Sequence, residues 1–400
     1  MTVRKAGRRP PTEARVAPKN TPYPQIVPLR QLLTGLRGHR TAVAVLAVLV
    51  VLSTGLAAVI WQTRTPGSAT DPQARADGRT ASTPTTAATP APTPTSPTAQ
   101  LPWTSGVWAG GEWGARRVAE FASWRGTQVE TVTTYPAYDT WEELASSEWH
   151  VSIFAGFQGR LVYGLPLLPK SGGSLAEVAT GRRDDVWRAI ARQLTTNGRH
   201  DSYVRVGLEA NGDWFPWGSD ADEAPEFRRA FQHVVQVMRT EAPRLRFVFD
   251  ISCGVEFKGS DGRLDSLTKL YPGDDVVDVI GCDAYDSYST QIRKTGDFAE
   301  VARPDDAAGL LDVVDFARSR GKTFAVPEWG LTKRSADGAG DNPVFIRAMG
   351  DFFAAHAGEL EFENYFNEPS SYLRSSIFAP NQNPEAAKVY QQLWGAASAR

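Results

Sequence analysis

Apolar residues fall into three regimes along the chain. Between Thr41 and Trp61 they are nearly continuous, 21 residues without a charge. At about 1.5 Å rise per residue, a helix of that length spans roughly 31 Å, enough to cross a hydrocarbon core. Residues 62–102 then offer almost no bulky apolar side chain, and Pro, Thr, Ala and Ser dominate, as in Pro90-Ala91-Pro92-Thr93-Pro94. From Trp103 onward, short apolar runs of strand type alternate with 3.6-residue periods of helical type. The strand candidates are Ser105–Gly110, Gln128–Thr134, Arg160–Leu167, Tyr203–Glu209, Arg246–Ser252, Val276–Asp283, Thr323–Glu328 and Glu361–Phe366. Between them lie amphipathic patterns such as Val186, Trp187, Ile190, Ala191 and Leu194, then Phe227, Phe231, Val234, Val235 and Met238, then Phe345, Met349 and Phe352. Thr140 with Glu143 has capping-box spacing, and Pro225, Pro343 and Pro384 suit first helical turns.

Eight strand–helix units in under 300 residues predict an α/β protein of (β/α)8 TIM-barrel type over residues 103–400. No GxGxxG follows a first strand, so no dinucleotide cofactor is expected. The segments before the barrel read as a basic tail (1–40), a transmembrane helix or uncleaved signal anchor (41–61) and a disordered Pro/Thr-rich linker (62–102).

Charge sharpens this division. The first 40 residues carry nine Lys or Arg against Glu13 alone. Such a tail stays on the cytoplasmic side, which places the barrel outside a single-pass membrane anchor. A cleaved signal peptide, with small residues at Gly55 and Ala57, is the competing reading; the long basic region and complete apolar run favour the anchor. Residues 1–101 hold 12 basic and 3 acidic side chains, leaving 31 and 42 for the barrel, a net charge of −11. An acidic barrel repels phosphate backbones, so nucleic acid is not an expected partner. The five histidines show no metal-ligand spacing, so no metal is expected. Cys253 and Cys282 fall near the ends of neighbouring predicted strands. Two buried free thiols are the simpler expectation, and a disulfide is the alternative in an oxidising compartment.

Barrel enzymes place their chemistry at C-terminal strand ends. The fourth predicted strand closes on Glu209, followed by Trp214 and Trp217; the seventh closes on Glu328 beside Trp329; the sixth closes on Asp283 with Tyr285. Two-residue alternation puts Arg205, Gly207 and Glu209 on one face, and Phe324, Val326 and Glu328 on one face. Cleaving a glycosidic bond takes two carboxyl groups, one holding a proton and one charged, and aromatic surfaces suit sugar rings. Glu209, Glu328 and the neighbouring tryptophans supply that set. Trp103, Trp108, Trp113 and Trp124 read as core or helix packing.

At Arg205…Glu209-Ala-Asn211-Gly212-Asp213-Trp214, Asp283-Ala-Tyr285 and Pro327-Glu328-Trp329-Gly330, the chain resembles glycoside hydrolase family 26, a mannanase-rich family of retaining barrel enzymes. The resemblance spans roughly residues 103–395. It implies Glu209 as acid/base, Glu328 as nucleophile and Tyr285 as a hydrogen-bond partner of the nucleophile. It also implies a substrate cleft holding Arg205, Asn211, Asp283, Trp214 and Trp329, with Trp217 further out. Leu208 departs from the family's usual His before the acid/base, and leucine cannot hydrogen-bond a hydroxyl. The implied function is hydrolysis of a β-linked polysaccharide, mannan-like or related; a tethered glycan-binding pseudoenzyme of the same fold is the alternative. If the anchor reading holds, protease added to intact cells will release the barrel by cutting within 62–102. A protected barrel would reverse the topology.

Overall fold

The computed structural model describes residues 99–110, 114–287, 298–334 and 338–396. The tail, the span at 41–61 and the linker up to residue 98 lie outside the described residues. Among the described residues no helix is long and apolar enough to cross a membrane.

Eight parallel strands close into a barrel in sequence order: β1 (Ser105–Trp108), β2 (Thr131–Thr134), β3 (Arg160–Leu165), β4 (Tyr203–Val206), β5 (Arg246–Ser252), β6 (Val279–Tyr285), β7 (Thr323–Gly330) and β8 (Leu360–Phe366), with β8 pairing back to β1. Helices cover the outside, so the strands are buried on both faces and read as apolar runs. Helix Asp184–Thr196 buries the predicted stripe Val186, Trp187, Ile190, Ala191 and Leu194. Pro225 lies in the first turn of Ala224–Glu241, while Pro343 and Pro384 open their helices. Thr140 Oγ1 accepts from Glu143 N at 3.2 Å, but Glu143 reaches back to Asp139 N, one residue before the expected return bond.

Several strands are shorter than predicted, for local reasons. β3 stops at Leu165 because Pro166 has no N–H to continue the ladder. β4 stops at Val206 because Gly207 turns to φ +58° and Glu209 to φ +51°, both in the left-handed region. Glu209 therefore sits on a turn beyond the strand rather than closing it.

The barrel interior is layered. At its lower level Val162, Tyr203, Val248, Val279, Ala325 and Phe362 pack as a separate apolar cluster. The next level is polar. A Cβ on Gly106 would collide with Asn364 and Thr131, which fixes that face of β1 as interior. There Thr131 Oγ1 donates to Asn364 Oδ1 at 2.5 Å, and Asn364 Nδ2 donates to Thr133 Oγ1 at 2.6 Å. Val107, Val204, Val206, Phe324 and Val326 belong instead to the larger core between the strands and the helices.

β7 carries the decisive irregularity. Val326 pairs with Glu363 and Trp329 with Tyr365, so three steps along β7 match two along β8. The extra residue lies at Pro327-Glu328, where proline cannot contribute to the ladder. Such a bulge changes the alternation. Val326 faces the helices, Pro327 lies against interior Gly281, and the Glu328 carboxylate also reaches the interior. The expectation that Phe324, Val326 and Glu328 share a face is thereby corrected. Cys253 and Cys282 are joined in a disulfide, with Cα atoms 5.6 Å apart, which corrects the free-thiol expectation.

Beyond the bulge, Trp329 turns outward into the helix layer. It is fully buried against Tyr365, Phe353 and Trp394, and its indole N–H donates to Glu363 Oε2 at 2.5 Å. Trp103 and Trp394 donate to Glu363 Oε1 at 3.2 and 2.9 Å. One buried carboxylate thus collects three indoles, and through Trp329 it braces the residue next to Glu328. Burial raises the Glu363 carboxyl above its ordinary value, against the hydrogen bonds that lower it. Replacing it with an amide would turn an N–H toward donors that have no other acceptor. Glu363→Gln is expected to lose about 1–3 kcal/mol of stability, measured by denaturant titration; an unchanged midpoint would contradict this bonding scheme.

Candidate functional site

The C-terminal mouth of the barrel is organised around Arg205. Its side chain rises from β4 into the interior and is wholly buried. Nη1 donates to Glu328 Oε1 at 2.6 Å, and Nη2 donates to Asp250 Oδ2 at 2.5 Å and to Asp283 Oδ2. One guanidinium thus serves carboxylates from β5, β6 and β7. Burial works against the Arg205 charge, but those three acids outweigh it and hold the guanidinium well above its ordinary pKa. Burial raises the carboxyls of Asp250 and Asp283 despite the attraction of Arg205, because one cation cannot compensate every acid in the cluster.

Glu328 is met from three sides. Tyr285 Oη donates to Oε2 at 2.9 Å, and Tyr135 Oη donates to Oε1, where Arg205 also binds. Tyr135 in turn accepts from Arg205 Nη1 at 3.3 Å. Burial first, and then the Glu328 charge, push both phenols well above their ordinary range, so they remain donors.

Glu209 is 1% exposed and accepts one hydrogen bond from Trp214 Nε1 at 2.9 Å. Burial, then repulsion by Glu328, raise its pKa to about 8, with Arg205 and the Trp214 bond opposing. The turn that carries Glu209 is locally prescribed. A Cβ on Gly212 would strike the Trp214 indole, so glycine permits Trp214 to fold back. Asn211 then pins the turn to the end of β5, donating to Ser252 O at 2.9 Å and accepting from Ser252 N at 2.8 Å. A non-glycine residue at φ +51° is a strained conformation of the kind that clusters at functional sites.

The structure therefore brings Arg205, Glu209, Trp214, Asp283, Tyr285 and Glu328 together. Other predicted cleft residues fall elsewhere. Trp329 faces the helix core because of the bulge. Trp217 is 1% exposed, stacks on Phe215 and donates to Leu208 O at 2.8 Å, so it supports the turn from below. Asn211 spends its amide on Ser252. Arg205 and Asp283 are wholly enclosed and organise other side chains instead of facing the cleft. Leu208 is 2% exposed, and its Cδ2 lies against Gly164 beside Tyr135. Trp103 is buried and Trp124 packs against the core, as expected, while Trp113 lies outside the described residues. Trp108 departs from its core-packing reading: it is half-buried and stacks on Phe366 at 4.5 Å.

Sequence reasoning missed Tyr135, Asp250 and Tyr372. Tyr135 follows β2 directly, so the strand-end rule could have found it; Asp250 is the one acid inside an otherwise apolar strand end. Tyr372, in the loop after β8, feels the charges of Glu328 and Glu209 in addition to its burial, and no strand pattern marks it.

Residues 190–369, from within the helix before β4 to just beyond β8, match the model of Glycosyl hydrolase family 26. Among curated proteins, the chain is 32% identical over 138 residues to a mannan endo-1,4-beta-mannosidase of Bifidobacterium adolescentis, covering 33% of this chain and 13% of that protein. It is 29% identical over 120 residues to Endoglucanase H of Acetivibrio thermocellus, covering 29% of this chain and 13% of that protein. The chain thus spans only a small part of the length of these relatives. Among solved structures, GH26C from Muricauda sp. MAR_2010_75 superposes with a TM-score of 0.53 at 15% identity, over 74% of this chain and 85% of that one. A fungal beta-1,4-galactanase gives 0.51 at 12% identity, over 73% of this chain and 100% of that one. At these identities the structural likeness shows the fold alone.

A carboxyl whose pKa rises on folding holds a proton in the native state that the unfolded chain gives up. Its contribution to stability is complete below the ordinary value of 4.5 and is lost as pH rises through about 8. Glu209→Gln removes that dependence. The variant's melting temperature relative to the unsubstituted protein is expected to climb between about pH 4.5 and 8 and level off above. A difference independent of pH would contradict a raised pKa at Glu209.

Proposed function

We propose that this barrel hydrolyses a β-linked polysaccharide with retention of configuration, Glu209 acting as acid/base and Glu328 as nucleophile. The observation that carries the reading is the contrast between two carboxyls at one barrel mouth. Burial favours a proton on Glu209 near neutrality, whereas Glu328 receives two phenolic hydrogen bonds and a guanidinium. The family match over residues 190–369 and the mannan- and glucan-degrading names among the relatives support the same class of substrate.

In the first step the Glu328 carboxylate attacks the anomeric carbon while the glycosidic oxygen leaves with the Glu209 proton. In the second, Glu209, now a carboxylate, takes a proton from water, and the water oxygen displaces Glu328 from the same carbon. Tyr285, Tyr135 and Arg205 hold the Glu328 oxygens in place during attack. The Trp214 indole fixes Glu209 at the edge of the bond to be protonated. Retention by this route needs the two carboxyl groups about 5–5.5 Å apart, close enough for Glu328 to reach carbon directly. With leucine at 208, plain β-mannan is not the best substrate on this reading, and a related β-linked glycan is. The uncharged 41–61 segment behind a basic tail supports a membrane-anchored enzyme with its barrel outside the cell. The Cys253–Cys282 disulfide suits that oxidising location.

The test is sugar release by the full chain across a polysaccharide panel, with Glu328→Gln as the blank. The first-formed anomer, followed by NMR, is expected to match the substrate; an inverted anomer would overturn retention. Glu209→Ala should lose about 10²–10⁴-fold on natural glycans and far less on substrates with activated leaving groups. In the unsubstituted enzyme kcat/KM should fall above about pH 8, as Glu209 loses its proton, and this alkaline limb should vanish in Glu209→Ala. Near-normal turnover by Glu209→Ala or Glu328→Gln would defeat the assignment.

A further inference from the structure

We propose that Trp108, seated on Phe366 at the joint of β1 and β8, is a stacking platform for the sugar on the glycone side of the scissile bond. The inference rests on the hydrolase reading for its direction along the substrate, and on geometry for the platform itself. Gly106 faces the barrel interior, where a Cβ would meet Asn364 and Thr131. Val107 faces the helices and is fully buried. Alternation therefore returns Trp108 to the interior side, one level above Gly106, at the barrel mouth. Unlike the deeper interior residues it is partly open to solvent. Among the described residues its indole N–H meets no acceptor, unlike that of Trp214, the other tryptophan at the mouth.

The indole is also rigidly held. Trp108 pairs with Phe366 in the ladder, its carbonyl accepts from Asn367 N at 2.9 Å, and the two rings stack with an interplanar angle of 14°. A flat apolar surface already fixed in place costs little ordering entropy when a sugar ring settles on it. Phe366 in turn touches Tyr135 and Tyr285, each with ring centroids 6.2 Å away, and these are the two phenols bound to Glu328. A chain of ring contacts thus runs from Trp108 to the nucleophile.

Direction follows from the barrel. β1 and β8 lie across the mouth from the turn after β4 that carries Glu209 and Trp214. Glu209 faces the oxygen that departs with the leaving sugars, so the aglycone lies on its side. The ring bonded to Glu328 extends the other way, toward Phe366 and Trp108.

The experiment uses full-length chains and two β-1,4-linked hexasaccharides, one of mannose and one of glucose, labelled with ¹⁸O at the reducing end. Binding is measured with Glu328→Gln and cleavage position with the active protein, each with and without Trp108→Ala or Trp108→Phe. Trp108→Ala should weaken binding about tenfold and move cleavage toward the non-reducing end, because fewer sugars are then held on the glycone side. Trp108→Phe should restore most of both. A structural role alone would leave the cleavage position unchanged. Unchanged binding and cleavage position in Trp108→Ala would overturn the platform while leaving the hydrolase reading intact. Binding that depends on Trp108 without any cleavage would support the platform and defeat the hydrolase reading. Failure of both hexasaccharides to bind would overturn the platform.

Discussion

The mouth of this barrel depends on one buried cation. Arg205 sits among carboxyl groups from three strands with no solvent to screen them, and removing it would leave at least two acids unpaired in a low-dielectric interior. Such a loss is strongly destabilising, whereas the intact cluster is stabilised mainly by good geometry. The same arithmetic governs Glu209. One guanidinium cannot offset Asp250, Asp283, Glu328 and Glu209 together, so Glu209, which Arg205 does not hydrogen-bond, is pressed to keep a proton, as burial also presses Asp250 and Asp283. The charge that makes the interior possible also sets the protonation of its neighbour.

Two buried acids on opposite sides of the barrel wall illustrate how environment separates identical side chains. Glu363 lies on the outer side of β8, where three indoles donate to it and aromatic rings exclude water. Glu328 lies on the inner side of β7, where phenols and a guanidinium surround it and the mouth lies above. Trp329 links them, being bonded to the first and covalently adjacent to the second. The outer acid is a fastening for the helix layer, and the inner one lies buried beneath the mouth.

Much of the architecture was legible in the sequence because a parallel barrel buries both strand faces, leaving apolar runs that stand out from amphipathic helices. Arg205, Glu209, Asp283, Tyr285 and Glu328 were legible because ionisable groups at the ends of apolar runs are conspicuous. Orientation was less so. Trp214 and Trp329 each follow a candidate carboxylate, yet one folds over a glycine into the mouth and the other turns into the helix core. Nearness in sequence does not say which side of a sheet a ring occupies once a bulge or a left-handed turn intervenes. Trp108 and Tyr135 were passed over for the opposite reason. Neither neighbours an acid in sequence; only barrel closure brings Tyr135 to Glu328 and sets Trp108 on Phe366, which touches Tyr135.

The bulge at Pro327 gives β7 an unusual relation between length and chemistry. Its lower half obeys the same in-and-out rhythm as its neighbours, and its upper half runs one beat out of phase. A substitution at Val326 changes a contact, but strict alternation through the same residues, with the bulge lost, would turn the carboxylate of position 328 toward the helices and the indole of 329 toward the mouth. The backbone irregularity at Pro327 is therefore a more stringent constraint than the identity of the side chains around it. Divergent relatives of this barrel should vary the side chains around the bulge more freely than the bulge itself.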